Sequence, residues 1–554
     1  MNFDYLIVGG GSAGATLAGR LSEDPSNSVC LIETGGGGQD LLIRMPLGLA
    51  VMVPGRLKNN NYCFETTPQP GLNGRRGFQP RGRALGGSSA INAMHYIRGH
   101  RRDYDDWAQL GCPGWSFDEV LPYFKRAEGN QRGDSELHCD HGPLQVGEQQ
   151  GPRPVSQAFV NAAIETGIPA NPDFNGAEQE GVGFYQVTQF FHGPKNGERC
   201  SAAAAYLHPA MHRPNLTVLT NTQALRVMLA DKRATGVEVQ RAGQRQIIHA
   251  NKEVILCGGA FNSPQLLMLS GIGDPAELTR HGIQVKHDLP GVGKNLQDHL
   301  DFILSFKSKS SDLLGISPTS ALRLPGAINE WRKTGKGLLA SPCAESGGFV
   351  KSDPQLERAD LQLNFVIAML DDHGRKLHYG NGFSAHVCVL RPKSIGEVGL
   401  YDSNPLSAPR IDPKFLSHAD DVTAMLRGAR LLQKIMQAPA LAEFREEEVL
   451  AAEGDSDEAL LKHIREHADT IYHPVGTCKM GTDAMAVVDP QLRVHGISGL
   501  RVVDASIMPN LIGGNTNAPT IMIAERAADL LLGKTPLAAL DVPVFEDGRA
   551  VAAE

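Results

Sequence analysis

Tyr5-Leu6-Ile7-Val8-Gly9-Gly10-Gly11-Ser12-Ala13-Gly14, near the start of a 554-residue chain, decides the fold. Four consecutive apolar residues without alternation read as a parallel strand covered on both faces. The glycines then fall at GxGxxG spacing. Gly9 permits the tight turn, Gly11 lets a pyrophosphate reach backbone N–H groups at a helix N-terminus, and Gly14 lets that helix pack on the strand. Ser12 and Ala13, in the same turn, join them as expected phosphate contacts. A second buried strand, Val29-Cys30-Leu31-Ile32, runs into Glu33. A carboxylate there accepts hydrogen bonds from ribose hydroxyls and repels a 2′-phosphate, which argues for a dinucleotide other than NADP. Which dinucleotide it is stays open on this stretch alone.

Outward from this unit, Val254-Ile255-Leu256-Cys257-Gly258 repeats the strand-then-glycine pattern and leads into a helix near 263–270. Leu500-Arg501-Val502-Val503-Asp504 reads as another strand, and Pro519 to Leu532 as a closing helix. Between them, Leu361 to Ile367 and Ala385 to Leu390 look like longer strands of an antiparallel sheet, with a surface helix over 318–335. Three nucleotide-domain segments spread along the chain thus enclose a region of different character.

Composition narrows the function classes. Net charge is −8, and the densest basic stretch (Arg75-Arg76, Arg81, Arg83 and 98–102) is no nucleic-acid face, so no nucleic-acid partner is expected. Nine scattered cysteines without CxxC spacing point away from a disulfide framework or zinc site and toward a reducing, cytoplasmic compartment. Met1-Asn2-Phe3-Asp4 runs straight into the first strand, leaving no stretch expected to act as a signal peptide. The most apolar run, 41–55, is short and carries Arg44 and two prolines. No transmembrane segment is expected, and peripheral attachment at the inner membrane is the most it allows. His373, His378 and His386 lack metal-ligand spacing, so no metal is expected. Ser88-Ser89 lacks the G-x-S-x-G elbow of a nucleophilic serine.

Two longer segments carry a family resemblance. Gly82-Arg83-Ala84-Leu85-Gly86-Gly87-Ser88-Ser89-Ala90-Ile91-Asn92 resembles the first signature of the glucose–methanol–choline oxidoreductases, and the stretch from Gly259 to Gly273 resembles their second. His473 to Gly481, Asp504-Ala505-Ser506 and Asn515 to Thr520 are similar to the family's C-terminal segments. The resemblance implies an α/β fold: a discontinuous Rossmann-like FAD-binding domain (1–155, 213–310, 468–535), an inserted α+β substrate domain on an antiparallel sheet (156–212, 311–467), and a tail (536–554). It implies FAD contacts at Arg83, Leu85, Gly86, Gly87 and Ser88. It also places Asn92 against the flavin, Ala224 at the adenine, and Asp504 and Ala505 along the pyrophosphate and ribityl chain, with Ala93, Met94 and Gly258 as further FAD contacts. Members that bind FAD covalently use a histidine where this chain has Ile91, so dissociable FAD is expected.

The same resemblance implies the chemistry. His473 matches the catalytic base, and Asn517 the second member of the catalytic pair, which would hydrogen-bond the substrate oxygen. The expected reaction oxidises a primary alcohol to the aldehyde, with hydride passing to flavin N5 and electrons leaving to a quinone, another non-NAD carrier or O2. Tyr62 and Phe365 are expected to border the substrate. Choline is the nearest rival substrate, although Trp107, Trp115 and Trp331 are the only tryptophans from which to build a cation cage. A hydroxynitrile lyase, which uses the base without redox chemistry, is the rival of another class.

Overall fold

The computed structural model describes residues 1–55, 60–542, 544–546 and 549–551. Strand β1 (Asn2–Val8), helix α1 (Ser12–Leu21) and strand β2 (Val29–Ile32) form the expected unit. β1 lies parallel to β2 on one side and to Gln244–Leu256 on the other. Leu216–Leu219 extends this sheet beyond β2, and Leu500–Val502 pairs in parallel with the end of Gln244–Leu256. Both β1 and β2 are buried along their apolar runs, as a strand with both faces covered must be.

An antiparallel meander, Thr222–Ala230 and Arg233–Arg241, completes the sheet against the first half of Gln244–Leu256. That strand changes character along its length: exposed and polar from Gln244, fully buried at Val254-Ile255-Leu256. One strand therefore serves a solvated meander and a covered parallel core.

The second sheet is antiparallel, in the order Asp469–Thr470, Leu300–Ser308, Gly380–Val389, Leu361–Val366, Ala344–Val350, Gly181–Phe184. Its membership shifts the expected boundaries, because 300–308 and 469–470 belong here rather than with the nucleotide sheet. The tail expected at 536–554 lies partly outside the described residues. The two largest hydrophobic clusters lie against the two large sheets, the second including Val155 and Phe159 of helix Pro154–Glu165 and Met425 and Leu432 of helix Ala419–Gln437. Helix Pro318–Thr334 sits where the sequence places it. The last long helix, Asn517–Leu531, is almost wholly buried, and its carboxylates Glu525 and Asp529 pair with Arg126 at 2.7 and 2.8 Å.

Candidate active site

One large cavity, about 910 Å³, runs from the β1–α1 turn past 88–94 to His473. Its nucleotide end is built from backbone. Gly9 has φ +106, and a Cβ on Gly14 would stand 1.8 Å from the Gly9 carbonyl oxygen. Gly87, with φ +52, abuts the turn so closely that a Cβ there would lie 2.6 Å from the Gly11 Cα. Two loops far apart in sequence therefore meet through glycines, leaving N–H groups rather than side chains toward the cavity.

Glu33 closes this end. Its carboxylate accepts the Gly10 N–H at 2.8 Å and the Gly35 N–H at 2.7 Å, while burial pushes its pKa up to about 6. Asp504 accepts from the Gly259 N–H (2.9 Å), the Ser263 hydroxyl (2.6 Å) and the Ser506 N–H (2.8 Å). It thereby ties the start of helix Gly259–Leu269 to the strand Leu500–Val502.

Of the expected cofactor contacts, Gly9, Gly11, Ser12, Ala13, Glu33, Gly87, Ser88, Asn92, Ala93, Met94, Ala224, Gly258, Asp504 and Ala505 line the cavity. Gly14, Leu85, Gly86 and Arg83 do not. Gly14 acts from behind by its close approach to Gly9, and Leu85 is buried in the core beneath Gly10. The Gly86 N–H donates to the Gly10 carbonyl at 2.7 Å. Arg83 lies outside the wall with its guanidinium 5.7 Å from the centre of the Tyr62 ring. An elongated cavity, a glycine-cleared turn and a carboxylate with spare lone pairs fit a flavin dinucleotide.

The reaction end is built from side chains. His473 is buried, and its backbone N–H donates to Asp298 Oδ1 at 2.9 Å. The residue before it, Tyr472, has φ +79, a strained backbone for a bulky side chain. The hydrogen bonds settle the tautomer. His299 Nε2 lies 3.0 Å from the Leu390 carbonyl oxygen, which can only accept, so this nitrogen carries the proton. His299 Nδ1 is then a lone pair, and His473 Nδ1, 2.9 Å away, donates to it. His473 Nε2 is left unprotonated, facing the Asn515 amide at 3.1 Å. The Asn515 oxygen is engaged by Gln362 Nε2 at 3.0 Å, which turns the NH2 group toward His473. Burial first, and the neighbouring His299 second, hold His473 well below the usual histidine range.

Two expectations are corrected here, and a third gains a neighbour. Asn517 lines the cavity, opens the last long helix and accepts the Ser12 hydroxyl on its side-chain oxygen at 2.7 Å. The side chain that meets His473 is Asn515, two positions earlier in the loop. Phe365 is not at the substrate end. In a strand successive side chains alternate faces, so Gln362, Asn364 and Val366 turn toward the cavity region while Phe365 stacks on Phe159 in the core, ring centres 4.8 Å apart. Tyr62 lines the cavity at the other end, where burial first and the field of Glu33 second push its hydroxyl pKa up.

His373, His378 and His386 each pair with a carboxylate of their own, Asp469, Asp371 and Asp301, at 3.0, 3.0 and 2.7 Å. They build wall. Among the described residues, ligand-spaced groups occur at His463-Glu466-His467 and Asp134-Asp140-His141, and neither includes His473. Sequence reasoning missed Asn515, Asp298 and His299. The adjacent pair Asp298-His299, leading directly into a strand, was the available signal.

Two models of the GMC oxidoreductase family match the chain, the N-terminal one over residues 3–301 and the C-terminal one over residues 392–524. The chain is a GMC oxidoreductase. Over 546 residues, 98% of either chain, it is 48% identical to an alcohol dehydrogenase [acceptor] of Pseudomonas putida. It is 43% identical to the mitochondrial choline dehydrogenase of Homo sapiens, over 98% of this chain and 92% of that one. Among solved structures, pyridoxine 4-oxidase from Mesorbium loti superimposes with a TM-score of 0.86 at 31% identity, over 96% of this chain and all of the other. As a GMC oxidoreductase the chain is an FAD-binding flavoprotein, and the cavity just described is the one such a cofactor fits. Among its described residues no helix is long and apolar enough to cross a membrane.

Proposed function

We propose that this GMC oxidoreductase oxidises primary alcohols to aldehydes, with His473 as the base and Asn515 as the group that holds the substrate oxygen. One observation carries the reading: the lone pair on His473 Nε2, fixed by the chain through His299 to the Leu390 carbonyl. The hydroxyl proton passes to that nitrogen, while the Asn515 NH2 donates to the oxygen as negative charge grows on it. Bound FAD supplies the hydride acceptor. Ile91 offers no nucleophile for a covalent link, which supports dissociable FAD. The cavity wall includes Leu49, Val53, Leu314, Val366, Met369 and Leu370, which supports an apolar alcohol, and also Asp371, Asp372, Asp469 and Tyr472, which keep choline as the rival that the test must separate.

Anaerobic mixing with hexanol, benzyl alcohol and choline, followed by admission of air, tests substrate and acceptor together. Bleaching by the neutral alcohols but not by choline is expected, with slow recovery in air and rapid recovery with a soluble quinone. Bleaching by choline alone would transfer the chain to that substrate, and no bleaching by any alcohol would leave the lyase reading. Helix Pro318–Thr334 leaves Leu322 81% exposed, with Leu324 and Ile328 also at the surface. This supports cytoplasmic protein held peripherally at the inner membrane, where a quinone acceptor resides. Co-sedimentation with anionic vesicles checks it.

A further inference from the structure

Arg199 is a buried cation without a counter-charge. It is 2% exposed. Its Nη1 donates to the Asn92 carbonyl at 2.6 Å, the Asn92 side-chain oxygen at 2.7 Å and the Ser89 carbonyl at 3.4 Å. Nε donates to the Ile43 carbonyl at 3.0 Å, and Nη2 to the Pro46 carbonyl at 3.3 Å. Every partner is a neutral oxygen, and among the described residues no carboxylate pairs with the guanidinium. The other buried arginines differ. Arg98 pairs with Glu128 and Arg501 with Glu253, and Arg526 feels the fields of Glu119 and Asp529. Around Arg199 burial acts unopposed and draws its pKa down to about 9. Such a charge is costly to bury, and hydrogen bonds to neutral oxygens offset only part of that cost, so a nearby anion would be favoured.

The direction in which compensation can come is set by Asn92, which lines the cavity. Its side-chain oxygen accepts from both Arg199 and the Met94 N–H (3.1 Å). Its NH2 group has no protein acceptor among the described residues, and the guanidinium polarises the amide from behind. We infer that Arg199, acting through Asn92, stabilises negative charge on the flavin ring and so raises the cofactor's affinity for electrons. Arg199 touches neither substrate nor the reacting atoms in this arrangement; it is a positioning and electrostatic residue. The inference rests on flavin binding alone and not on alcohol oxidation.

Sulfite titration and the two-electron midpoint potential of the holoenzyme test it without any alcohol. Sulfite adds through its sulfur lone pair to flavin N5 and leaves the negative charge on the pyrimidine edge of the ring. Wild-type protein should form this adduct. Arg199→Met should bind sulfite at least about tenfold more weakly, and a tenfold loss of electron affinity appears as about 30 mV in the potential. Arg199→Lys, which keeps the charge but not the hydrogen-bond pattern, should stay within about threefold of wild type. If Arg199→Met does not accumulate with flavin, Asn92→Asp carries the test: a carboxylate beside the guanidinium should weaken sulfite binding in the same sense. Wild-type flavin that ignores sulfite overturns the inference, as does unchanged affinity in the variants. A lysine variant that falls as far as the methionine one also overturns it, leaving Arg199 a structural anchor only. Wild-type protein that takes up no flavin is a different failure, that of the cofactor assignment itself.

Discussion

The two ends of the cavity are made of different material. At the nucleotide end, Gly9, Gly11 and Gly87 offer backbone, and the contacts depend on the absence of side chains. At the reaction end, His473, His299, Asn515 and Gln362 come from four separate segments, and everything depends on where four side chains point. A backbone device is local, so a contiguous motif encodes it. A side-chain device depends on which residue of each segment turns inward, which only packing decides.

That contrast is most exposed at Gly14. Gly14→Ala places a methyl 1.8 Å from a carbonyl oxygen that cannot move without opening the β1–α1 turn, so no soluble flavin-loaded protein is expected. A yellow, soluble Gly14→Ala enzyme would break the claim that backbone clearance governs this end. His473→Ala comes next. It should keep its flavin yet slow alcohol-driven flavin reduction about 10³-fold, within the usual span for loss of a general base. Because burial holds His473 below its ordinary range and the neutral form is the active one, wild-type kcat/KM should be lost only as pH falls well below 6.5. A limb above neutrality assigned to this histidine would contradict its environment.

The amide pair sharpens the comparison further. Asn515→Ala should cost about 10² in flavin reduction by alcohol, as removal of one oxyanion donor does. Asn517→Ala, which loses only the Ser12 bond, should change that rate less than about tenfold and act mainly on FAD retention. The reverse order, read by stopped-flow absorbance, would return the catalytic role to Asn517. Smallest is Phe365→Leu, expected to destabilise by about 1–2 kcal/mol in thermal unfolding while leaving KM for alcohol within twofold.

Much of this is legible in the sequence itself. The β1–α1–β2 unit, the closing helix and the inserted antiparallel sheet all stand where periodicity and motif put them, because each is fixed by neighbouring residues. Asn515 was overlooked beside Asn517 because the two share one short motif, and only the start of a helix separates their directions. Phe365 failed for the same reason in a strand, where one position decides between core and cavity. His299 and Arg199 were passed over because nothing local distinguishes a buried histidine or arginine from a solvated one. Their meaning lies in partners some ninety to one hundred and seventy-four positions away.

The hydrogen bond between Ser12 and Asn517 joins residues 505 positions apart, and the helices that carry them pack together. The phosphate turn and its opposite wall are thus supplied by segments about five hundred positions apart in the chain. Neither segment encloses the pocket by itself, so local opening of either one exposes the cofactor end to water.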